Sequence, residues 1–378
     1  MEPVRLLIVD DSIFMRQTLV KLLSCDDINV IDTAKNGKEG IEKIIKLEPD
    51  VVTLDIEMPI MNGLEALKEI MRIHPVPVIM VSTLTIEGAE TTVEALSNGA
   101  IDFIAKKAAF GELIQIKDEL ISKILEIGRN SVLKNMLLRK RLLTRKSIPN
   151  ELEDSNRQGK AYFIAKNFLN IGKSKANDYS IRRNNRPGGY DIDIIGIGIS
   201  TGGPNSLHEM IKELPANLKT PILIAQHMPP NFTKSLAVRL NSLTELTVKE
   251  AEENEKICPG TIYIAQGGRH MSVARNNRIN ISDLPPDLLY KPSVDVLMSS
   301  ISDIFGRRAI GIIMTGMGHD GLEGIRKLSK TGGYIIAQEP DSCVISGMPK
   351  SIIDAGLADE IQPLNFMADT ISGICVNS

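Results

Sequence analysis

Ser200, His227 and Asp320 have the side-chain types of a nucleophilic hydrolase, and each follows an apolar run that ends in small or polar residues. Residues 198–202 read Gly-Ile-Ser-Thr-Gly, which fits Gly-x-Ser-x-Gly, a strand-to-helix turn that can present a serine nucleophile. A serine hydroxyl attacks poorly near neutral pH. A histidine must take its proton, and a carboxylate must hold the imidazole in the right tautomer. His227 ends the next apolar run, and Asp320 stands in Met314-Thr-Gly-Met317-Gly-His319-Asp320-Gly321 after a later one. Glycines beside Met317 expose backbone N–H groups of the kind a tetrahedral oxyanion needs. The order Ser…His…Asp differs from the Ser…Asp…His of α/β-hydrolases, so the motif does not carry that fold with it.

The same letters admit other readings. Gly196-Ile-Gly198-Ile-Ser-Thr-Gly202 is one residue off the dinucleotide fingerprint. That fingerprint wants a ribose-binding acid at the end of the next strand, where this chain has Gln226-His227, and no Gly-x-x-x-x-Gly-Lys-Ser/Thr is present. Thr201 is an alternative nucleophile, and Ser200 could instead cap the following helix. Asp320 could cap the helix that starts at Gly321. Of the five histidines, His74 and His208 read as surface residues, while His270 and His319 compete with His227 for the role of base. His227 is preferred because a polar residue there ends an apolar strand.

A second constellation lies in the first third of the chain. Asp10 and Asp11, Asp55, Ser82 and Lys106 each close an apolar run, and Glu57 follows two residues after Asp55. Carboxylates converging on one rim repel each other without a cation, and magnesium suits an oxygen-only site that keeps several waters. A carboxylate can also attack phosphorus to give an acyl phosphate. Ser82 and Lys106 would then reach the phosphoryl oxygens.

These positions need rigid strands. Residues 5–9, 30–34, 51–54, 77–81 and 101–105 read as strands, alternating with helices at 12–24, 38–47, 63–73, 87–98 and 112–128. Five βα units imply a doubly wound parallel sheet of flavodoxin-like (βα)5 type, whose ligands sit at the carboxyl ends of strands. The alternation returns after residue 190. Strands are expected at 192–199, 221–226, 261–265, 272–274, 278–281, 309–314 and 334–338, and helices at 205–214, 230–241, 293–305, 321–330, 350–355 and 366–375. That is a second doubly wound, mostly parallel α/β sheet with a β-hairpin near Asn276-Asn277.

Between the two, Ile127, Leu133, Leu137 and Leu138 keep a helical stripe that could carry the last helix on through Asn130–Leu143, and residues 139–186 hold thirteen basic residues against four acidic ones, so 129–189 reads as a basic flexible linker joining domains 1–128 and 190–378. The apolar fraction of 43%, charged fraction of 24% and net charge of −3 are those of an ordinary globular protein and suggest neither nucleic acid nor membrane. No apolar run reaches the roughly 18 residues of a membrane span, and the start reads as a strand rather than a signal peptide. Four scattered cysteines point to a reduced, cytoplasmic compartment.

With those residues in place, 1–128 resembles a response-regulator receiver domain. Asp10-Asp11, Asp55 within Leu-Asp-Ile-Glu-Met-Pro-Ile-Met-Asn-Gly, Ser82 and Lys106 match its acid pair, phospho-acceptor, hydroxyl switch and lysine; Lys107 departs, where the family has proline. Residues 190–378 resemble the catalytic domain of the chemotaxis protein-glutamate methylesterase family. Gly-Ile-Ser200-Thr-Gly-Gly, Gln226-His227-Met228, Gly-Gly-Arg269-His270-Met, Lys291-Pro-Ser-Val-Asp295 and Thr-Gly-Met317-Gly-His-Asp320-Gly carry the match. Ile199 departs, where the family has alanine. The resemblance implies a phosphorylation-activated esterase acting on methylated chemoreceptor glutamates, with deamidation as a second activity. Ser200 would be the nucleophile, His227 the base and Asp320 the orienting acid, with Met317 at the oxyanion and Arg269 near the substrate. It implies Mg2+ at Asp10, Asp11, Asp55 and Glu57, and no cofactor for the hydrolysis. It also implies a chemotaxis histidine kinase as phosphoryl donor, peripheral association with the receptor array, and an unphosphorylated receiver that covers Ser200. The competing class is a receiver fused to a non-enzymatic nucleic-acid- or protein-binding module.

Overall fold

The computed structural model describes residues 2–106, 110–146 and 192–375. Its first sheet has the order β2-β1-β3-β4-β5, formed by Ile28–Ala34, Val4–Val9, Val51–Asp55, Val78–Thr83 and Asp102–Lys106, with every pair parallel. Helices α1 (Ile13–Leu23), α2 (Gly37–Leu47), α3 (Gly63–Ile73), α4 (Ile86–Ser97) and α5 (Phe110–Arg129) connect and flank these strands. Both faces of the sheet are covered, which is why its strands are continuous apolar runs. Leu6 and Ile8 of β1 pack with Leu19, Leu120 and Ile124, while Leu7 and Val9 pack with Ile44, Leu67 and Ile70. The helix starts follow capping chemistry. Asn62 and Glu65 form a reciprocal capping box, and Ser12, Asn36 and Thr85 each accept a backbone N–H in the first turn.

The segment read as linker begins with a helix, as its apolar stripe suggests. Ser131–Lys146 forms helix α6, with Leu133 and Leu137 buried against the first domain and Lys134 paired with Asp50 at 2.8 Å. The rest of the proposed linker lies outside the described residues. His74, expected at the surface, is buried (6% exposed) at the end of α3, where its N–H donates to Ile70 O, and residues 75–77 that lead into β4 are buried with it.

The second sheet has seven strands, all parallel, in the order β14-β13-β12-β6-β7-β9-β8. The strands are β6 (Ile194–Ile199), β7 (Ile222–Gln226), β8 (Thr247–Glu250), β9 (Thr261–Ile264), β12 (Ala309–Ile313), β13 (Tyr334–Gln338) and β14 (Glu360–Gln362). The expected hairpin is a separate antiparallel pair, β10 (His270–Ala274) with β11 (Arg278–Ser282), turning through Asn277 at φ 58°. Helices α7 (Gly203–Ile211), α8 (Phe232–Asn241), α9 (Val294–Phe305), α10 (Leu322–Lys330), α11 (Gly347–Asp354) and α12 (Leu364–Cys375) cover the two faces. Strands β8 and β14 were not legible in the sequence: they are short edge strands whose residues alternate or stay half-exposed, without a continuous apolar run.

The order of this sheet positions the site. The chain leaves β6 to form β7 on one side and returns to form β12 on the other, so β7, β6 and β12 are neighbours with carboxyl ends on one rim. Crevices at such reversals are where open α/β sheets bind ligands. The glycine spacing in β6 serves packing. A Cβ on Gly196 would lie 2.6 Å from Ile301 Cδ1, and one on Gly198 would lie 2.2 Å from Val294 Cγ1, so α9 rests directly on the strand backbone.

Candidate active site

Ser200 follows the last residue of β6, and the turn that holds it is tight. Its N–H donates to Thr315 O at 2.9 Å, and its carbonyl accepts from Gly203 N–H at 2.7 Å. Gly202 takes φ +75°, and a Cβ there would sit 2.5 Å from Val344 Cβ, so only glycine completes the turn. The Gln226 side-chain amide donates to Ser200 O at 3.0 Å, so the residue that ended β7 where a ribose acid was wanted braces the serine instead. No side chain caps α7, which removes the reading of Ser200 as a helix cap. Thr201, the alternative nucleophile, is 4% exposed and donates its hydroxyl to Asp102 Oδ2 at 2.9 Å.

His227 follows β7, its N–H bonded to Ile199 O at 3.1 Å. Its Nδ1 lies 3.1 Å from Ser200 Oγ and its Nε2 lies 2.8 Å from Asp320 Oδ2. The carboxylate fixes the proton on Nε2 and leaves the Nδ1 lone pair facing the serine hydroxyl. Ser200, His227 and Asp320 therefore form one hydrogen-bonded chain across three strand ends. The His227 and Asp320 side chains are only 7% and 10% exposed.

Asp320 does not cap its own helix. Its carboxylate receives the N–H groups of Val294 (2.7 Å) and Asp295 (3.0 Å) and the Ser293 hydroxyl (3.0 Å), at the N-terminus of α9. A helix N-terminus favours negative charge. Burial pushes the Asp320 carboxyl up, but the bond to His227, the His227 charge and the two N–H groups outweigh it and hold the carboxyl below the usual range. His270 is buried (1% exposed), bonded through Nε2 to Pro285 O and through Nδ1 to Ser293 N–H. It braces the Ser293 turn and makes no hydrogen bond to Ser200, whereas His227 does. His319 makes no contact in this chain of bonds.

The Met317 loop lies against the serine. A Cβ on Gly316 would be 2.8 Å from Ser200 Cβ and 2.3 Å from Met348 Sδ. Gly316 N–H is committed to Ile345 O at 2.8 Å, whereas Met317 N–H enters no hydrogen bond among the described residues. Arg269 is half-exposed and occupied by Asp283 (3.3 Å) and Ile281 O (3.3 Å).

In the first sheet, Asp10, Asp11 and Asp55 offer carboxylate oxygens that all lie within 4.8 Å of one another. Asp10 and Asp55 are buried, Asp11 exposed. An all-oxygen group of this kind fits a hard divalent cation such as Mg2+. The structure does not bring the Glu57 carboxylate into the group: Ile56 is buried and the next residue turns out to solvent. Ser82 is buried at the end of β4, and its hydroxyl donates to Gly88 O at 3.1 Å. Lys106 ends β5 on the same rim; its side chain and Lys107 lie outside the described residues.

Two family descriptions match the chain: a response regulator receiver domain over residues 6–118 and CheB methylesterase over residues 195–371. A protein-glutamate methylesterase/protein-glutamine glutaminase of Desulfitobacterium hafniense is 42% identical, covering 97% of this chain and 96% of its own length. One from Archaeoglobus fulgidus is also 42% identical, covering 97% of each. The chain belongs to the protein-glutamate methylesterase/protein-glutamine glutaminase family. Among solved structures, the CheB methylesterase catalytic domain of Thermotoga maritima is 43% identical, with a TM-score of 0.46, covering 47% of this chain and 96% of its own. The response regulator domain of Thermotoga maritima CheB is 52% identical, with a TM-score of 0.31, covering 32% and 93%. A methylesterase output is thus the family's arrangement, and a non-enzymatic binding module finds no support. No helix among the described residues is long and apolar enough to cross a membrane.

In this member of the family the two sheets meet beside the serine. Asp102, at the start of β5, accepts from Thr201 and pairs with Lys123 of α5 at 3.0 Å. Asn205 of α7 donates to Ala100 O at 3.0 Å, and Phe103 stacks on Phe232 with centroids 4.6 Å apart and planes 8° off parallel. Leu120 and Ile124 of α5 belong to one apolar cluster with Ile345, against which Met317 and Val344 pack. Sequence reasoning missed Asp102, Lys123, Thr315, Ser293 and Tyr290. Thr315 binds Thr201 O and Ile345 N–H through its hydroxyl, and Tyr290 stacks on His227. Ser293 lay inside Lys291-Pro-Ser-Val-Asp295 and Thr315 inside the Met314–Gly321 motif; Asp102 and Lys123 lie in a strand and a helix that the sequence does show, but nothing in their spacing ties them, or Tyr290, to the site.

Proposed function

We propose that Ser200 is the nucleophile of a phosphorylation-activated hydrolase that demethylates glutamate methyl esters on chemoreceptors. The observation that carries it is the hydrogen-bonded chain from Ser200 through His227 to Asp320. Ser200 Oγ attacks the ester carbonyl carbon as its proton passes to His227 Nδ1. Asp320, its negative charge maintained at the start of α9, stabilises the imidazolium and keeps the ring oriented. The Met317 N–H, which enters no hydrogen bond among the described residues, would donate to the oxyanion, where one lost donor typically costs about a hundredfold or more in rate. The carbon–methoxy bond then breaks, and methanol leaves with the proton from Nδ1. Water gives its proton to the same nitrogen as it attacks the acyl-enzyme, and the free glutamate carboxylate is released while Ser200 regains its proton. With ammonia as leaving group the same steps deamidate a glutamine.

Control belongs to the first sheet. Asp55 accepts a phosphoryl group from a histidine kinase; Asp10, Asp11 and Asp55 would hold a Mg2+ ion, which would offset the negative charge gathered there. Ser82 and Lys106 read the phosphoryl oxygens. Strand β5 runs from this rim, at Lys106, back to Asp102 and the interface beside Ser200, a span of about 13 Å. One apolar cluster that takes in Leu120 and Ile124 of α5 and Ile345, with Met317 and Val344 packed on it, supports a receiver that restricts access until Asp55 is phosphorylated. The protein would work in the cytoplasm, at the periphery of the receptor array.

The test is methanol release from methylated receptor membranes by the full chain, with and without an acyl-phosphate donor. Release should rise with the donor and vanish in Ser200→Ala. Unchanged release by Ser200→Ala would remove Ser200 as nucleophile, and loss of the donor effect alone would remove only the control by Asp55.

A further inference from the structure

The imidazole that joins Ser200 to Asp320 has one face covered. The ring of Tyr290 lies on it with centroids 4.2 Å apart and planes 8° from parallel. Tyr290 stands three residues before Ser293, whose hydroxyl and following N–H groups hold Asp320. One short segment therefore fixes both the acid and the face of the base. On its far side the phenol approaches the Met317 loop: a Cβ on Gly318 would be 3.7 Å from Tyr290 Oη. Burial raises the phenol, as do the Glu119 and Asp320 charges, so the hydroxyl stays protonated and adds no negative charge beside the carboxylate.

Parallel stacking is open to two neutral aromatic rings when they are offset. It suits a cation, because the face of a phenol ring is negative and attracts positive charge within about 6 Å of its centroid. His227 becomes a cation when it takes the serine proton. An interaction that strengthens at that moment lowers the barrier rather than merely tightening binding. Tyr290 touches none of the reacting atoms and acts through the imidazole.

We propose that Tyr290 is a positioning residue for the general base, holding the His227 ring in the plane between Ser200 and Asp320 and stabilising its protonated form. This rests on Ser200 and His227 being the hydrolytic pair, so the experiment separates the two claims. The full chain, treated with an acyl-phosphate donor, is labelled with a fluorophosphonate probe at Ser200 and assayed on methylated receptor membranes. Tyr290→Phe should stay within about twofold of the parent, since the ring remains. Tyr290→Leu should lose about three- to thirtyfold in labelling rate and in kcat, with KM unchanged. In the parent protein the His227 ring-proton resonances should lie upfield of exposed histidines, from the ring current of Tyr290. They should stay so in Tyr290→Phe. A Leu variant that labels and turns over like the parent, a Phe variant that falls as far as Leu, or an unshifted His227 resonance in the parent would each overturn the proposal. Absence of labelling at Ser200 in the parent would instead overturn the hydrolytic pair.

Discussion

Thr201 donates its hydroxyl to Asp102 at 2.9 Å, joining the residue after the candidate nucleophile to the last strand of the receiver. The same carboxylate is paired with Lys123 at 3.0 Å, with side-chain exposures of 12% for Lys123 and 10% for Asp102. Burial pulls the Lys123 ammonium down, but Asp102 and Glu119 outweigh it and hold it above its ordinary value. Removing one partner of such a buried pair typically costs about 3–5 kcal/mol. Lys123→Met should therefore loosen the seat of α5 and raise methanol release in the absence of a phosphoryl donor. It should also shrink the stimulation by the donor and lower thermal stability. Basal release equal to the parent's in a folded Lys123→Met protein would show that this contact does not restrain the site.

Metal removal should separate control from chemistry. The cation fits Asp10, Asp11 and Asp55, while the Ser200 site is built from a hydroxyl, an imidazole and a carboxylate. Chelation by EDTA should abolish the stimulation by an acyl-phosphate donor and leave basal methanol release unchanged. Asp55→Asn should do the same with metal present, and phosphoryl incorporation followed by mass spectrometry checks both.

The Met317 loop tolerates no side chain where it meets the serine. Gly316→Ala places a methyl carbon inside the contact distances of Met348 Sδ and Ser200 Cβ. Overpacking of this kind costs about 1–3 kcal/mol. Displacing the loop or the serine by about 1 Å should cut kcat by about a hundredfold, and a smaller shift by less. Denaturant titration and a parallel assay would measure both effects, and an activity loss no larger than the stability loss explains would count against the loop's role.

Stability should depend on pH in two windows. Burial depresses the His270 imidazole, with Pro285 O pulling the other way and the Lys291 charge reinforcing the fall. The unfolded chain therefore binds a proton at about pH 6.5 that the folded protein refuses. Stability is full above that value and declines as pH falls from it toward the lowered folded value. Asp320 is depressed in the folded state, so its contribution is present above about pH 4 and is lost as pH falls through its folded value. Urea titrations of the parent and of His270→Gln between pH 8 and pH 5 should show the first slope in the parent alone. Parallel slopes would exclude His270 as its source.

Most of the architecture was legible because parallel α/β sheets write themselves as alternating apolar runs and amphipathic stretches. Their polar chemistry falls where the runs stop, so Ser200, His227 and Asp320 could be picked out at three strand ends and Asp10, Asp11 and Asp55 at others. The edge strands β8 and β14 escaped because half-exposed strands carry no such run. His74 was misplaced because burial of a single polar residue at a helix end depends on tertiary packing, which leaves no periodic signal in the sequence.

From Asp191 to Asn205 the sequence by itself determined that a strand ends in a glycine turn holding a serine, and that a histidine and an aspartate end neighbouring segments. Tertiary structure alone decided which faces they show one another. Strand order puts β7, β6 and β12 side by side, so three residues distant in the chain come within hydrogen-bonding reach. The ring orientation that turns Nδ1 toward Ser200, the commitment of Asp320 to the start of α9, the cover of Tyr290 and the Thr201–Asp102 bond all depend on contacts between distant segments. No local propensity encodes such contacts, because each is fixed by packing that exists only once both sheets are folded.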